Sequence, residues 1–106
     1  MKLVVMKFGG TSVGSIDKIN NVANIVERQL NDKKLIVVLS AMSGVTNKMQ
    51  EYIDEIESNE IIENDLILTS GEAVSVGLLS AILKKRNIKL SLIHIRAHET
   101  VSHLVC

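Results

Sequence analysis

The apolar residues of this chain switch back and forth between two periods, and that switching most limits what it can fold into. Leu3 to Phe8 is a short apolar run, interrupted by Lys7 and ended by Gly9-Gly10, so it reads as a buried strand. Ile16, Ile19, Val22, Ala23, Val26 and Leu30 then recur at helical spacing, with Ser12 or Ser15 placed to cap the helix start. Leu35 to Leu39 is a second strand-like run, again closed by small residues, Ser40-Ala41-Met42-Ser43-Gly44. A further helical stripe follows at Val45, Met49, Tyr52, Ile53 and Ile56. A third helix is expected from about Asp65 to Lys85, with Ile67, Gly71, Val74, Leu78 and Ile82 on one face. Ile88 to Ile95 reads as a third strand.

Strand, helix, strand, helices, strand is an α/β order. Parallel strands need long crossovers, and helices supply them in this chain. Ligands of such sheets gather beyond the carboxyl ends of the strands. Both loops of small residues lie at those ends, which makes them the first places to look for chemistry.

Bulk properties narrow the partners. Twelve basic and twelve acidic residues cancel, so no basic footprint for nucleic acid exists, and 2% aromatic content offers no base-stacking surface. With 46% apolar and 23% charged residues, the chain can bury a core. The apolar start is too short for a signal peptide and no segment reads as membrane-spanning, so no membrane role is expected. The single cysteine, Cys106, has no partner for an internal disulfide, and a cytoplasmic setting is expected. His94, His98, His103 and Cys106 match no tight metal-binding spacing, so no metal site is expected.

Three segments carry the chemistry. In Lys7-Phe8-Gly9-Gly10-Thr11-Ser12, two glycines let backbone approach a ligand, and Lys7 can place a positive charge beside a phosphoryl group. The spacing is not that of a Walker loop, and on its own the segment also reads as a plain turn with a solvated lysine. In Ser40-Ala41-Met42-Ser43-Gly44-Val45-Thr46-Asn47, hydroxyls can hold anionic oxygens, although for this segment alone helix capping by Ser43 or Thr46 is the better account. In Ser70-Gly71-Glu72, a mid-helix glycine costs about 1 kcal/mol relative to alanine. Such a residue has a packing reason or an access reason. Glu72 then either reaches inward to an ammonium group or lies at the surface.

Taken together and in this order, KFGGTSVG, SAMSGVTN and SGE resemble the aspartate kinases of the amino-acid kinase superfamily, from about Leu3 to Ile88. The resemblance implies a three-layer α/β/α amino-acid kinase fold, in this chain incomplete. Residues 1–90 would be the N-terminal part of the kinase domain and 91–106 a divergent tail, with the regulatory ACT domains absent. It implies transfer of the ATP γ-phosphate to the side-chain carboxylate of L-aspartate, the entry to lysine, threonine, methionine and diaminopimelate synthesis, with Mg²⁺ carried by ATP. Lys7, Phe8, Gly9, Gly10 and Ser40 would meet phosphate, with Lys7 catalytic, while Thr46 and Glu72 would hold aspartate. The resemblance implies that most of the nucleotide pocket would come from a later part of the kinase domain. The chain is therefore expected to be inactive alone, and to pair with itself or with the missing kinase half. The alternative is a non-catalytic remnant or interaction module paired with a separately encoded remainder.

Overall fold

The computed structural model describes residues 2–30 and 33–88. Two strands, β1 (Lys2–Phe8) and β2 (Lys33–Leu39), pair in parallel, from Lys2 opposite Lys33 to Phe8 opposite Leu39. The crossover between them is helix α1 (Ile16–Gln29). Two further helices follow, α2 (Val45–Glu55) and α3 (Ile61–Lys85). This is the expected α/β arrangement. The expected strand from Ile88 to Ile95 and the segment 91–106 lie outside the described residues, apart from Ile88 itself.

The core forms where the two periods meet. Leu35, Val37 and Leu39 project from one face of β2. They pack with Ile19, Val22, Ala23 and Val26 of α1 and with Leu79 and Leu83 of α3. Val4, Met6 and Phe8 of β1 join the same cluster, partly buried. β1 is thus not the buried strand expected. Its other face leaves Leu3 59% and Val5 38% exposed, because alternate side chains of a strand point to opposite sides and only one side is packed.

Helix α1 begins as its sequence suggests, with Ser15 rather than Ser12 as the cap. Ser15 is extended (φ −156°, ψ 169°), and its hydroxyl accepts from the Lys18 N–H at 3.2 Å. Asp17 in the first turn and Arg28 in the last both suit the helix dipole. Ser15→Ala leaves that N–H to water, and the expected loss is about 1 kcal/mol of stability. Urea unfolding followed by circular dichroism would measure it.

Helix α3 departs most from expectation. It starts four residues earlier, and its buried positions are Thr69, Gly71, Glu72, Ser75, Leu79 and Leu83. Val74, expected on the core face, is 55% exposed. The reason is that apolar residues lie all around this helix, so periodicity cannot choose a face. The same property corrects the expectation that no segment could cross a bilayer. Ile61–Lys85 holds an 18-residue window of mean hydropathy 1.8, long and apolar enough by length and composition. In this fold, however, one side of that helix packs on α1, α2 and β2.

Candidate functional site

The loops following the two strands lie against each other. After β1, the chain turns through successive i to i−3 bonds: Ser12 N–H to Gly9 O, Val13 N–H to Gly10 O, and Gly14 N–H to Thr11 O. The N–H groups of Gly9, Gly10 and Thr11 take no part in these turn bonds. Ser40 N–H donates to Phe8 O at 3.0 Å, which ties the start of the second loop to the end of β1. A Cβ on Gly10 would come within 3.1 Å of the Ala41 carbonyl oxygen, so with any other residue the two loops would have to part by a few tenths of an ångström.

Helix α3 closes on this pair from a third direction. A Cβ on Gly71 would stand 2.6 Å from Val45 Cγ1 and 2.8 Å from Ala41 Cβ. The glycine inside the helix therefore has a packing reason: it lets α3 lie directly on the start of α2. Ala41, 6% exposed, is the shared neighbour of Gly10 and Gly71.

Between the three segments lies a cavity of about 410 Å³, lined among others by Gly10, Ser40, Ser43, Thr46, Thr69 and Glu72. The structure thus brings together Gly10, Ser40, Thr46 and Glu72, four residues singled out in sequence from three separate stretches. Lys7, Phe8 and Gly9 do not line it. Phe8 turns to the core side, where it borders a smaller hollow of about 290 Å³ with Thr11, Ser12 and Lys18. Lys7 points to the opposite face of β1 and is exposed.

The two plainer readings of these polar residues fail on geometry. The cap of α2 is Gly44, in the left-handed region at φ 85°, and no side chain bonds to the helix start. Ser43 and Thr46 are therefore not spent on capping. Glu72 is 7% exposed, not a surface residue, and among the described residues it is the buried carboxylate. Its polar neighbours on α3 turn to their own helix: Thr69 Oγ1 donates to Asp65 O at 2.8 Å, and Ser75 Oγ to Gly71 O at 3.3 Å. That leaves Glu72 as the charge α3 brings to the cavity. An acid and several hydroxyls around about 410 Å³ can meet a small polar molecule that carries both a cationic and an anionic group.

Thr69 and Leu68 also line the cavity and were not singled out from sequence. Their positions three and four residues before Glu72 are the signal that would have found them, because such residues share a helix face.

Two parallel strands joined by a helix, with a glycine-rich and a hydroxyl-rich loop at their carboxyl ends, place the chain among the α/β folds. Residues 2–104 match the amino acid kinase family, and the chain belongs to that family. Within it, the similarity is to the aspartate kinases. An aspartokinase of Rickettsia felis is 40% identical over 94 residues, which is 84% of this chain and 23% of that protein. A crystal structure of aspartate kinase from Synechocystis superposes with a TM-score of 0.76 at 36% identity, over 82% of this chain and 15% of that one. The structure of E. coli aspartokinase III in complex with aspartate and ADP superposes with a TM-score of 0.63 at 25% identity, over 84% of this chain and 30% of that one. The chain thus spans under a quarter of the length of the Rickettsia relative.

Proposed function

We propose that these residues form the aspartate-holding and phosphate-facing part of an aspartate kinase site. The observation that carries this reading is the convergence of Gly10, Ser40, Thr46 and Glu72 on one cavity. Glu72 takes the ammonium of L-aspartate, and Thr46 and Ser40 orient its carboxylates. Lys7 and the amides of the Gly9-Gly10 turn meet the γ-phosphate of ATP, which brings Mg²⁺ with it. An oxygen of the side-chain carboxylate attacks the γ-phosphorus, and the bond to the bridging oxygen of ADP breaks. The product is 4-phospho-L-aspartate. An unperturbed aspartate side chain titrates near ~3.9, so the nucleophile is already ionised at neutral pH and no general base is needed. Catalysis is then positioning and charge neutralisation.

Binding by this chain is separable from turnover. Titrating the 106-residue chain with L-aspartate should shift the amide resonances of Gly10, Ser40, Thr46 and Glu72. Succinate, which has the two carboxylates but no ammonium, should shift them far less. Equal responses to the two ligands would mean that Glu72 does not hold the ammonium. With ATP and hydroxylamine added, no aspartyl hydroxamate is expected from these residues alone; robust turnover would show that they need no further kinase segment. A binding module that pairs with a separately encoded remainder is the second reading. It is favoured by the open Leu3 and Val5 face of β1.

A further inference from the structure

Thr69 stands one helical turn before Glu72 and shares its buried face of α3. It is 5% exposed and lines the same cavity. A threonine hydroxyl has a single donor hydrogen and two acceptor lone pairs. Here the hydrogen is spent on the helix itself, in the bond from Thr69 Oγ1 to Asp65 O at 2.8 Å. What the oxygen still offers is a lone pair. Leu68, the remaining lining residue of α3, has no polar side-chain atom. Among the described residues, the α3 wall of the cavity therefore presents acceptors, the Glu72 carboxylate and the Thr69 oxygen, and no side-chain donor.

The loop after β2 and the start of α2 supply the other polarity. Ser40, Ser43 and Thr46 line the cavity with hydroxyls that can donate. We propose that Thr69 is a second acceptor for the ligand's ammonium group and sets a preference for an amino acid over a hydroxy acid. The inference rests on the reading of this cavity as the aspartate-holding site. An ammonium has three donor hydrogens, so it serves the Glu72 carboxylate and the Thr69 oxygen together. A hydroxyl in its place has a single hydrogen and serves one of them, leaving the other acceptor buried and unmet. Sites built around hydrogen bonds reject a ligand that lacks one for this reason. A carboxylate group would meet only acceptors at α3, and it turns to the serine- and threonine-lined wall instead.

Two substitutions separate the oxygen from the rest of the side chain. Thr69→Val keeps the β-branched shape and removes the oxygen. The Asp65 carbonyl still accepts the helical bond from the N–H of position 69, so α3 is expected to stay intact. Thr69→Ser keeps the hydroxyl and its bond to the helix and removes only the methyl.

Calorimetric titration of the 106-residue chain with L-aspartate, L-malate and succinate tests the assignment. Thr69→Val should weaken L-aspartate binding by about ten-fold, the lower end for a hydrogen bond to a charged group. It should weaken L-malate and succinate by less than about two-fold, so the preference for the amino acid falls. Thr69→Ser should stay within about two- to three-fold of the parent for all three ligands. In a Glu72→Gln background, Thr69→Val should cost less than it does alone, because the two residues hold one group. Circular dichroism checks each variant, and Thr69→Ala supplies the same comparison if the valine variant loses helix. Equal losses for the three ligands overturn the proposal, since the cavity has then changed shape. A loss in Thr69→Ser as large as in Thr69→Val overturns it by assigning the effect to the methyl. If Glu72→Gln loses L-aspartate and Thr69→Val does not, the aspartate site stands and Thr69 is no part of its ammonium contact. If the parent ignores L-aspartate, or Glu72→Gln binds it as well as the parent, the reading of the cavity fails and this inference with it.

Discussion

Gly71→Ala is expected to destabilise the chain and to abolish its response to L-aspartate, although alanine is the better helix former. Two effects oppose each other. Replacing a mid-helix glycine by alanine gains about 1 kcal/mol in helix propensity. Against this, the new methyl would lie 2.6 Å from Val45 Cγ1 and 2.8 Å from Ala41 Cβ, where ordinary contact is about 3.5–4.0 Å. Val45 is half-buried and can turn its methyl aside. Ala41 cannot, because its Cβ is fixed to the backbone of the loop after β2. That contact decides the sign. Overpacking of this kind costs about 1–3 kcal/mol, so the net change is a loss of up to about 2 kcal/mol. It is relieved by moving α3 away from α2 by the better part of an ångström.

The movement carries Glu72 with it, away from Ser40 and Thr46. Urea unfolding gives the stability change, and the amide shifts on adding L-aspartate report the site. A chain with Gly71→Ala, Val45→Ala and Ala41→Gly together has room for the new methyl and should recover most of the response. If Gly71→Ala alone is as stable as the parent and still responds to L-aspartate, the close approach of α3 does not set the site.

The elements that read well in the sequence were those with a single packed side. The stripe of α1 runs from Ile19 to Val26 with polar residues between, and the helix lies as that stripe directs. Its cap needed the structure only to choose Ser15 over Ser12. Strand β1 was legible as a strand but not as half-open, because its residues are apolar on both faces and only one face is packed. Helix α3 shows the limit more sharply. Its buried face includes Thr69, Glu72 and Ser75, while Ile62, Leu66 and Val74 point outward. No scheme that sends apolar residues inward could have oriented it. The missing information was chemical: a helix that lines a polar cavity on one side can be more apolar on its outer side than on its inner one. The site was legible only as three motifs in combination, because each alone also fits a plain turn, a helix cap or a surface acid. What the sequence could not show was Ala41 between Gly10 and Gly71, a contact among three segments far apart in the chain.

Glu72→Gln is expected to remove most of the affinity for L-aspartate while leaving the fold in place. The substitution keeps the size and shape of the side chain and its place on the buried face of α3, so packing around Gly71 and Ser75 is unchanged. It removes the negative charge that the ammonium of the ligand meets. A hydrogen bond to a charged group contributes about 1.5–3 kcal/mol, which corresponds to roughly a 10- to 100-fold loss of affinity. Burial places the effect toward the upper part of that range, because Glu72 is 7% exposed and water screens it little. Succinate provides the internal control. It has no ammonium to lose, so its weak binding should be unchanged or slightly stronger when the carboxylate is replaced. Calorimetric titration of both ligands into both chains gives the four affinities that close this cycle. If L-aspartate and succinate lose affinity equally, the substitution has disturbed the cavity as a whole. If only L-aspartate loses it, the ammonium is bound at Glu72.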